Sequence, residues 1–406
     1  MMFILQKLKN ISKIDYINYL ILLYAFLLSF PVALKTPVLV AMILLWLSNF
    51  SEQRVSPREI KRIFISLILL ALLFLFSSFY SDASLLNILI YIKKFWYFLP
   101  IFIIYGYLKE EYLPYAITLF LLGMFVSEIL SYGVLFSFWK IRFSSPSNPS
   151  VFLHHIQYSI FLSLTSIILF FRGLSQKKVS SRLIYFIFFT TVTLNLFVNV
   201  GRTGYITFLA GMILSIFFIY KPKPKMIIVG FLAIFAIIFL AYTISPNFKT
   251  RVYSGISDVK KLDKNNFYDT SIGARVALLI TAKEIFLKNP IFGVGVADHL
   301  NKKDQFALSV GNDRFRFLTK IAHFHNSFLE ILTQLGLVGL FVFIYILYSI
   351  ATIKIEDKSF RAIKISLITI FVLGSFTDRL FHLNSTMSLF AFMTALVLLK
   401  HRFETD

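Results

Sequence analysis

The sequence predicts an all-α, polytopic integral membrane protein of about twelve transmembrane helices, with a large, partly helical loop on the outer side. Composition, the recurrence of long apolar stretches and the placement of basic residues point to it together. Of the 406 residues, 58% are hydrophobic and 15% charged, and 48 are Phe. Soluble chains run nearer 45–50% apolar and about 25% charged. Mean hydropathy is +0.77. These values exclude a soluble enzyme, a disordered chain and a fibrous repeat.

A membrane core needs roughly 17–25 apolar residues per helix. Such stretches lie near 15–33, 36–50, 62–79, 85–107, 113–137, 155–172, 182–200, 203–220, 226–244, 327–350, 362–380 and 384–399. The second is short enough to be re-entrant or tilted. The seventh and eighth are separated only by the turn from Val200 to Thr203. The chain thus divides into residues 1–244 with nine spans, residues 245–326 as an outer loop region, and residues 327–406 with three spans and a tail. Residues 1–10 show no small-residue cleavage site, so the first span is expected to stay in the membrane.

Lys and Arg set the orientation. With the N-terminus in the cytoplasm, 21 of them fall on inner segments and 5 (Lys35, Lys140, Arg142, Arg202 and Arg379) on short outer loops. That asymmetry predicts cytoplasmic termini. It also accounts for the net charge of +21 without nucleic acid, because the cations are scattered over seven inner segments. Cysteine is absent, so disulfides and thiolate metal sites are excluded.

The segment 245–326 departs from this pattern. Up to residue 325 it carries 13 Lys and Arg against 7 Asp and Glu. Long loops translocate regardless of charge, and a long loop in a compact protein usually serves function. Within it, Ile272 to Lys288 reads as a helix, with Asp269, Thr270 and Ser271 as caps and Asn289-Pro290 as the stop. Asp298 to Thr319 is polar and reads as a flexible flap. Gly293-Val294-Gly295 reads as a turn.

Three cationic or basic groups fall on the outer side. His325-Asn326 stands at the start of the tenth span, followed by nine residues, then Gly336 and Gly339, with His323 two positions earlier. A helix N-terminus disfavours imidazolium, and a neutral imidazole there can act as a general base. The structural alternative is an interfacial His beside a small-residue packing face. On a helix, His323 and His325 would point about 200° apart. Arg202 lies in the turn Gly201-Arg202-Thr203-Gly204, where glycines would let a ligand approach the backbone; the alternative is a snorkelling side chain. Arg275 sits one turn into the loop helix, and is otherwise a solvated cation. Two guanidinium groups suit a diphosphate, whose oxygens they meet bidentately. Asn326, His323, Arg142 and Lys93 are secondary candidates, with His154-His155 nearby. Lys93 and Lys94 could pair with Glu128, and Asp378-Arg379 reads as a local ion pair. Sequence spacing gives no metal-ligand set, no Walker loop and no nucleophile elbow, so no metal, nucleotide or other cofactor is expected.

His325-Asn326 with Gly336 and Gly339, the Arg202 turn, and Arg275 followed by Ala282, Pro290, Gly293 and Gly295 together resemble the signature of the bacterial O-antigen ligase family, over residues 140–345. The same superfamily includes O-antigen polymerases and protein O-oligosaccharyltransferases. The resemblance implies a membrane glycosyltransferase of the inner membrane with a periplasmic active site. Its donor would be an undecaprenyl-diphosphate-linked glycan and its acceptor the lipid A-core, with inversion at the sugar and no metal or ATP. By the same resemblance Arg202 and Arg275 hold the diphosphate and His325 is the base. A transporter or flippase is the reading from a different class; it would not need fixed Arg and His groups on an outer loop.

Overall fold

The computed structural model describes residues 12–48, 58–220, 246–265, 267–310 and 314–406, with four isolated positions between 221 and 245. Helices dominate, and there is no strand among the described residues. In chain order they are α1 Lys13–Leu27, α2 Val32–Ser48, α3 Arg58–Ser77, α4 Leu85–Ile92, α5 Leu99–Tyr107, α6 Leu113–Leu135, α7 His155–Ser175, α8 Val179–Val198, α9 Arg202–Tyr220, α10 Pro246–Asn265, α11 Ser271–Lys288, α12 Asp298–Ser309, α13 Ser327–Thr352, α14 Lys358–Ser375 and α15 Asn384–Thr405. Local chemistry starts several of them. Ser12 and Asp15 form a reciprocal capping box on α1, which satisfies two otherwise orphaned N–H groups. The Asp357 carboxylate caps α14 by accepting from Phe360 N at 2.8 Å.

Eleven of the twelve expected spans coincide with helices; the ninth, 226–244, falls almost wholly outside the described residues. By length and apolarity, seven described helical segments suffice to cross a membrane, beginning with Arg58–Ser77 and ending with Ser327–Thr352, and Val32–Ser48 is a shorter apolar helix. Among the described residues these seven meet both the length and the apolarity needed to cross a membrane. The helix from Lys13 is only 15 residues long, about 22 Å at 1.5 Å per residue, less than a hydrocarbon core of about 30 Å. Large side chains such as Ile65, Ile184 and Phe341 point outward and are exposed, which is favourable only against lipid. The chain is a multi-pass membrane protein.

α15 is the axis of the bundle, buried almost continuously from Ser385 to Leu399. α7, equally enclosed, packs against α8, α9 and α14. Lys35, assigned above to an outer loop, lies instead within α2, where its buried ammonium donates to Leu28 O at 3.0 Å and Ser385 Oγ at 2.9 Å. The span holding Lys93 and Lys94 is broken into α4 and α5 by a 3-10 stretch, Lys93–Phe98.

α13 is broken too. Gly336 has φ 62° and ψ −157°, a conformation essentially reserved for glycine. The gap is filled by the strap 290–295 that follows α11. Val294 N and Gly295 N donate to Thr333 O and Gln334 O, and Leu337 N and Val338 N donate to Pro290 O and Ile291 O. A Cβ on Gly336 would stand 2.3 Å from Ile291 O. Gly293-Val294-Gly295 is thus the insert that restores the hydrogen bonds the kink releases, not a bare turn.

The region 245–326 is a folded cap. α11, α12 and the 3-10 turn Arg316–Lys320 close a small core of their own around Leu278, Ala282, Ala307, Leu318 and Phe324. The expected flexible flap from Asp298 is α12. Its polarity misleads because Lys303 is turned inward: the buried ammonium donates to Leu318 O and Ile321 O at 2.6 and 2.7 Å and pairs with Asp304. It thereby holds the 3-10 turn's carbonyls against α12.

Candidate active site

Arg202 opens α9, and the Gly201 and Gly204 beside it serve packing rather than ligand approach. A Cβ on Gly201 would lie 2.5 Å from Ser159 Oγ, and one on Gly204 2.4 Å from Ser159 Cβ. The glycines let α9 start flush against α7. Asn199 tightens the turn, accepting from Gly201 N at 2.9 Å and donating to Ser150 Oγ at 2.8 Å. Held this way, the guanidinium reaches α11, where Nη2 donates to Ser271 Oγ at 2.9 Å.

Arg275 meets the same hydroxyl from the other side. The Thr270 side chain caps α11 by accepting from Gly273 N at 3.0 Å, as one of the three expected caps. One turn on, Arg275 Nη1 donates to Ser271 O and Oγ at 2.6 and 2.9 Å. Its Nε and Nη2 donate to Thr377 O at 3.3 and 3.1 Å. Arg275 therefore ties the cap to the turn after α14, and Thr203 reinforces the tie through Thr377 Oγ1 at 2.7 Å. Burial first, and then the neighbouring Arg202 charge, lowers the Arg275 pKa from its usual value. Two like charges held this close favour an anion between or beside them.

Asp378 follows Thr377. Its Oδ1 is 3.6 Å from His323 Nε2 and 3.6 Å from His325 Nδ1. The segment carrying the two histidines is not helical, so they do not point apart: their ring centroids are 4.0 Å from each other. His325 has φ 50°, a left-handed turn that brings its ring alongside. Asp378 also accepts from the Arg379 backbone N–H at 2.8 Å. Burial pushes its carboxyl up, but the two imidazoles and that N–H outweigh burial and hold it well below the usual carboxylate range. The expected local ion pair with Arg379 is thus replaced by a carboxylate facing two imidazoles. His323 is pulled down chiefly by burial, against the opposing pull of Asp378, and is neutral at neutral pH. Together the three side chains place one ligand atom each within 4.8 Å of one another, a grouping able to hold a metal ion. Sequence spacing gave no such set because Asp378 comes from a distant turn.

The secondary candidates separate. Asn326 is the helix cap of α13, its Oδ1 accepting from Phe328 N and Leu329 N at 2.9 and 3.1 Å. His154 stands just before α7, without a side-chain capping bond, near enough for Asp378 and His325 to act on it electrostatically; burial first, then His325, lowers its pKa. Arg142 is exposed and lies over Phe143 at 4.7 Å. Lys93 is exposed. Lys94 is under the influence of Arg379 and Glu330 rather than Glu128.

The N-terminal ends of α7, α9 and α13 and the C-terminal end of α14 converge here. Their opposite ends carry Arg172, Lys354, Lys358, Arg361 and Lys364. Residues that sequence reasoning missed are Asp378 as the histidines' partner, Ser271 as the hydroxyl shared by both arginines, and Thr377. A carboxylate next to an outer turn was the one signal for Asp378; nothing in the spacing marks Ser271.

Compared with known proteins, residues 185–344 match the family described as O-Antigen ligase. The match takes in Arg202, Arg275, His325, Gly336 and Gly339, and leaves Asp378 beyond its end. No curated protein matches the chain.

Proposed function

We propose, from the premise that this chain is a member of the O-antigen ligase family, that it transfers an undecaprenyl-diphosphate-linked O-antigen glycan to a lipid A-core acceptor. The reaction is read as metal- and ATP-independent and inverting. Its place is the periplasmic face of a bacterial inner membrane, with both termini cytoplasmic. The observation that carries it is the shared Ser271 hydroxyl, which holds Arg202 and Arg275 side by side next to the His323–His325–Asp378 cluster. Among the described residues Arg202 donates only to Ser271, which leaves other N–H donors of its five for a ligand. Arg275 is largely occupied within the protein and contributes position and charge.

In this reading the arginine pair binds the diphosphate and stabilises the negative charge that grows on it as the glycosidic bond breaks. His325 takes the proton of the acceptor hydroxyl, and the Asp378 carboxylate stabilises the imidazolium that forms. The acceptor oxygen bonds to the anomeric carbon as the diphosphate leaves. The basic ends opposite the site support an outer position for it.

The test mixes purified protein, lipid-linked glycan and lipid A-core, with no gradient and no nucleotide. A ladder of glycan-bearing core on a gel is expected. Transfer to a second lipid-linked glycan instead would make the protein a polymerase, and transfer to a protein hydroxyl an O-oligosaccharyltransferase. Absence of any transfer, with movement of lipid-linked glycan between leaflets, would make it a flippase.

A further inference from the structure

The helix α10, Pro246–Asn265, turns an apolar face away from the protein. Val252, Ile256 and Val259 recur at i, i+4 and i+7, which places them on one side of a helix. With Tyr253 beside them they are 36 to 56% exposed. The same helix carries five Lys and Arg against two Asp, and Lys249, Lys260 and Lys261 are exposed. A contiguous exposed apolar face rimmed by cations needs a partner that is apolar and anionic at once.

The contacts of α10 fix its depth. It begins at Pro246, directly after the apolar stretch 226–244. Near the end of that stretch, the Tyr242 hydroxyl donates to the Tyr253 hydroxyl at 3.0 Å, and the Lys249 ammonium lies 5.7 Å from the Tyr242 ring. Phe248 is buried against Phe197 and Tyr205, with ring centroids 5.8 and 5.1 Å away. Phe197 is in the last turn of α8 and Tyr205 in the first turn of α9, and both helices are long and apolar enough to cross a membrane. The first half of α10 is therefore tied to the ends of membrane-crossing helices. Tyrosines concentrate at that level, where a ring meets acyl chains and a hydroxyl meets headgroups.

A flanking face of α10 borders the arginine pair. Gly255 is three residues from Val252 and four from Val259, so it adjoins the exposed face. A Cβ on Gly255 would stand 3.1 Å from Arg202 Nη1. One turn on, Asp258 acts on Arg275. A second copy of this helix, packed on the same face, would set lysines against lysines. A bilayer surface meets both requirements, with acyl chains for the apolar side chains and phosphates for the ammonium groups.

We infer that α10 is an interfacial helix: Val252, Ile256 and Val259 lie at the headgroup–acyl boundary of the leaflet on the arginine pair's side, and Lys249, Lys260 and Lys261 engage anionic phospholipid headgroups. The seating does not rest on the transferase reading and goes beyond it. Its consequence is that Arg202 is held at headgroup depth, the level at which a lipid carries its phosphates.

The test uses full-length protein, which has no cysteine of its own. Spin labels are attached singly after Ile256→Cys, Val259→Cys or Lys261→Cys. The protein is reconstituted into vesicles of phosphatidylcholine, with and without phosphatidylglycerol. Power saturation compares contact with oxygen, which partitions into lipid, and with a water-soluble nickel chelate. Labels at 256 and 259 should meet oxygen in preference to nickel, and the label at 261 the reverse. Phosphatidylglycerol should raise the oxygen-to-nickel ratio at 256 and 259 several-fold, and Lys249→Gln, Lys260→Gln and Lys261→Gln together should cancel that rise. Positions 256 and 259 are independent, so a misfolded variant at one leaves the other to decide. Nickel contact at both, as for a label in water, would overturn the inference. So would shielding from both relaxants, which would mean that protein covers the face. Lipid contact indifferent to phosphatidylglycerol and to the glutamine changes would overturn the headgroup assignment. The readout requires no transfer, so failure of the transferase reading would leave this result standing.

Discussion

Arg202 and Arg275 donate to the same oxygen: Nη2 of one and Nη1 of the other each lie 2.9 Å from Ser271 Oγ. A single hydroxyl thus holds two guanidinium groups in register, although they come from helices more than seventy residues apart in sequence. Their mutual repulsion is offset only in part by Asp378 and Asp258, the nearby carboxylates that act on Arg275. An anionic ligand would offset the rest.

This arrangement makes lysine a poor replacement at either position. Lysine keeps the charge but loses the planar fork. Arg202→Lys and Arg275→Lys should each lower transfer on the order of ten- to a hundredfold, taking roughly 1.5–3 kcal/mol per charged hydrogen bond. Arg275→Lys should also lower the melting temperature, because it unties Thr377 from the cap, whereas Arg202→Lys should not. Near wild-type transfer in either variant would reduce that residue to a surface charge.

The histidine pair gives a second test. His325→Ala should reduce transfer by about 10²–10⁴-fold, the usual worth of general-base assistance, with lipid diphosphate binding retained. His323→Ala should be milder. Asp378→Asn keeps the shape and removes the charge that stabilises the imidazolium, and should fall between the two. An inactive His323→Ala beside an active His325→Ala would exchange their roles.

Metal independence can be checked directly. Guanidinium groups already supply the positive charge a diphosphate needs, so transfer should survive excess chelator. Loss of transfer, restored by a divalent cation and sensitive to Asp378→Asn, would make His323, His325 and Asp378 a metal site instead.

The cap should be acid-sensitive. Burial, and then the charges of Arg379 and Lys303, pulls the His299 imidazole down to about 3. The unfolded chain takes up this proton near pH 6.5 and the folded protein only near pH 3. More protons are bound in the unfolded state across that window, so stability rises with pH. The contribution is complete above pH 6.5 and is lost as pH falls towards 3. His299→Phe should flatten the fall in melting temperature between pH 6.5 and 4; parallel curves for variant and wild type would refute this. His323, lowered from 6.5, should supply slope that remains in this window, whereas Asp378, lowered from 3.8, acts only below it.

Orientation is testable because the chain has no cysteine. Leu308 on α12 is 65% exposed. Leu308→Cys in intact spheroplasts should react with a membrane-impermeant maleimide. Reaction only after the membrane is opened would invert the topology.

What the sequence determined by itself is what local periodicity and composition can carry. Apolar stretches matched to membrane thickness appear as helices because a helix is the one way for a single segment to satisfy its backbone in lipid. Thr270 and Asn289-Pro290 bound α11 because capping acts over a few residues. Arg202, Arg275 and His325 stand out as candidates because they are polar groups beside apolar spans and their motifs are short. The tertiary structure decided the rest, since the partners lie far apart in the chain. Gly336 reads as a packing glycine until the strap 290–295 is seen in its kink. Asp298 to Ser309 reads as a flap until Lys303 is seen inside. Asp378 reads as half of a local ion pair until the turn after α14 carries it to His323 and His325. In each case a buried polar group or freed backbone bond found its partner across the fold, and only packing brings such partners within hydrogen-bonding distance.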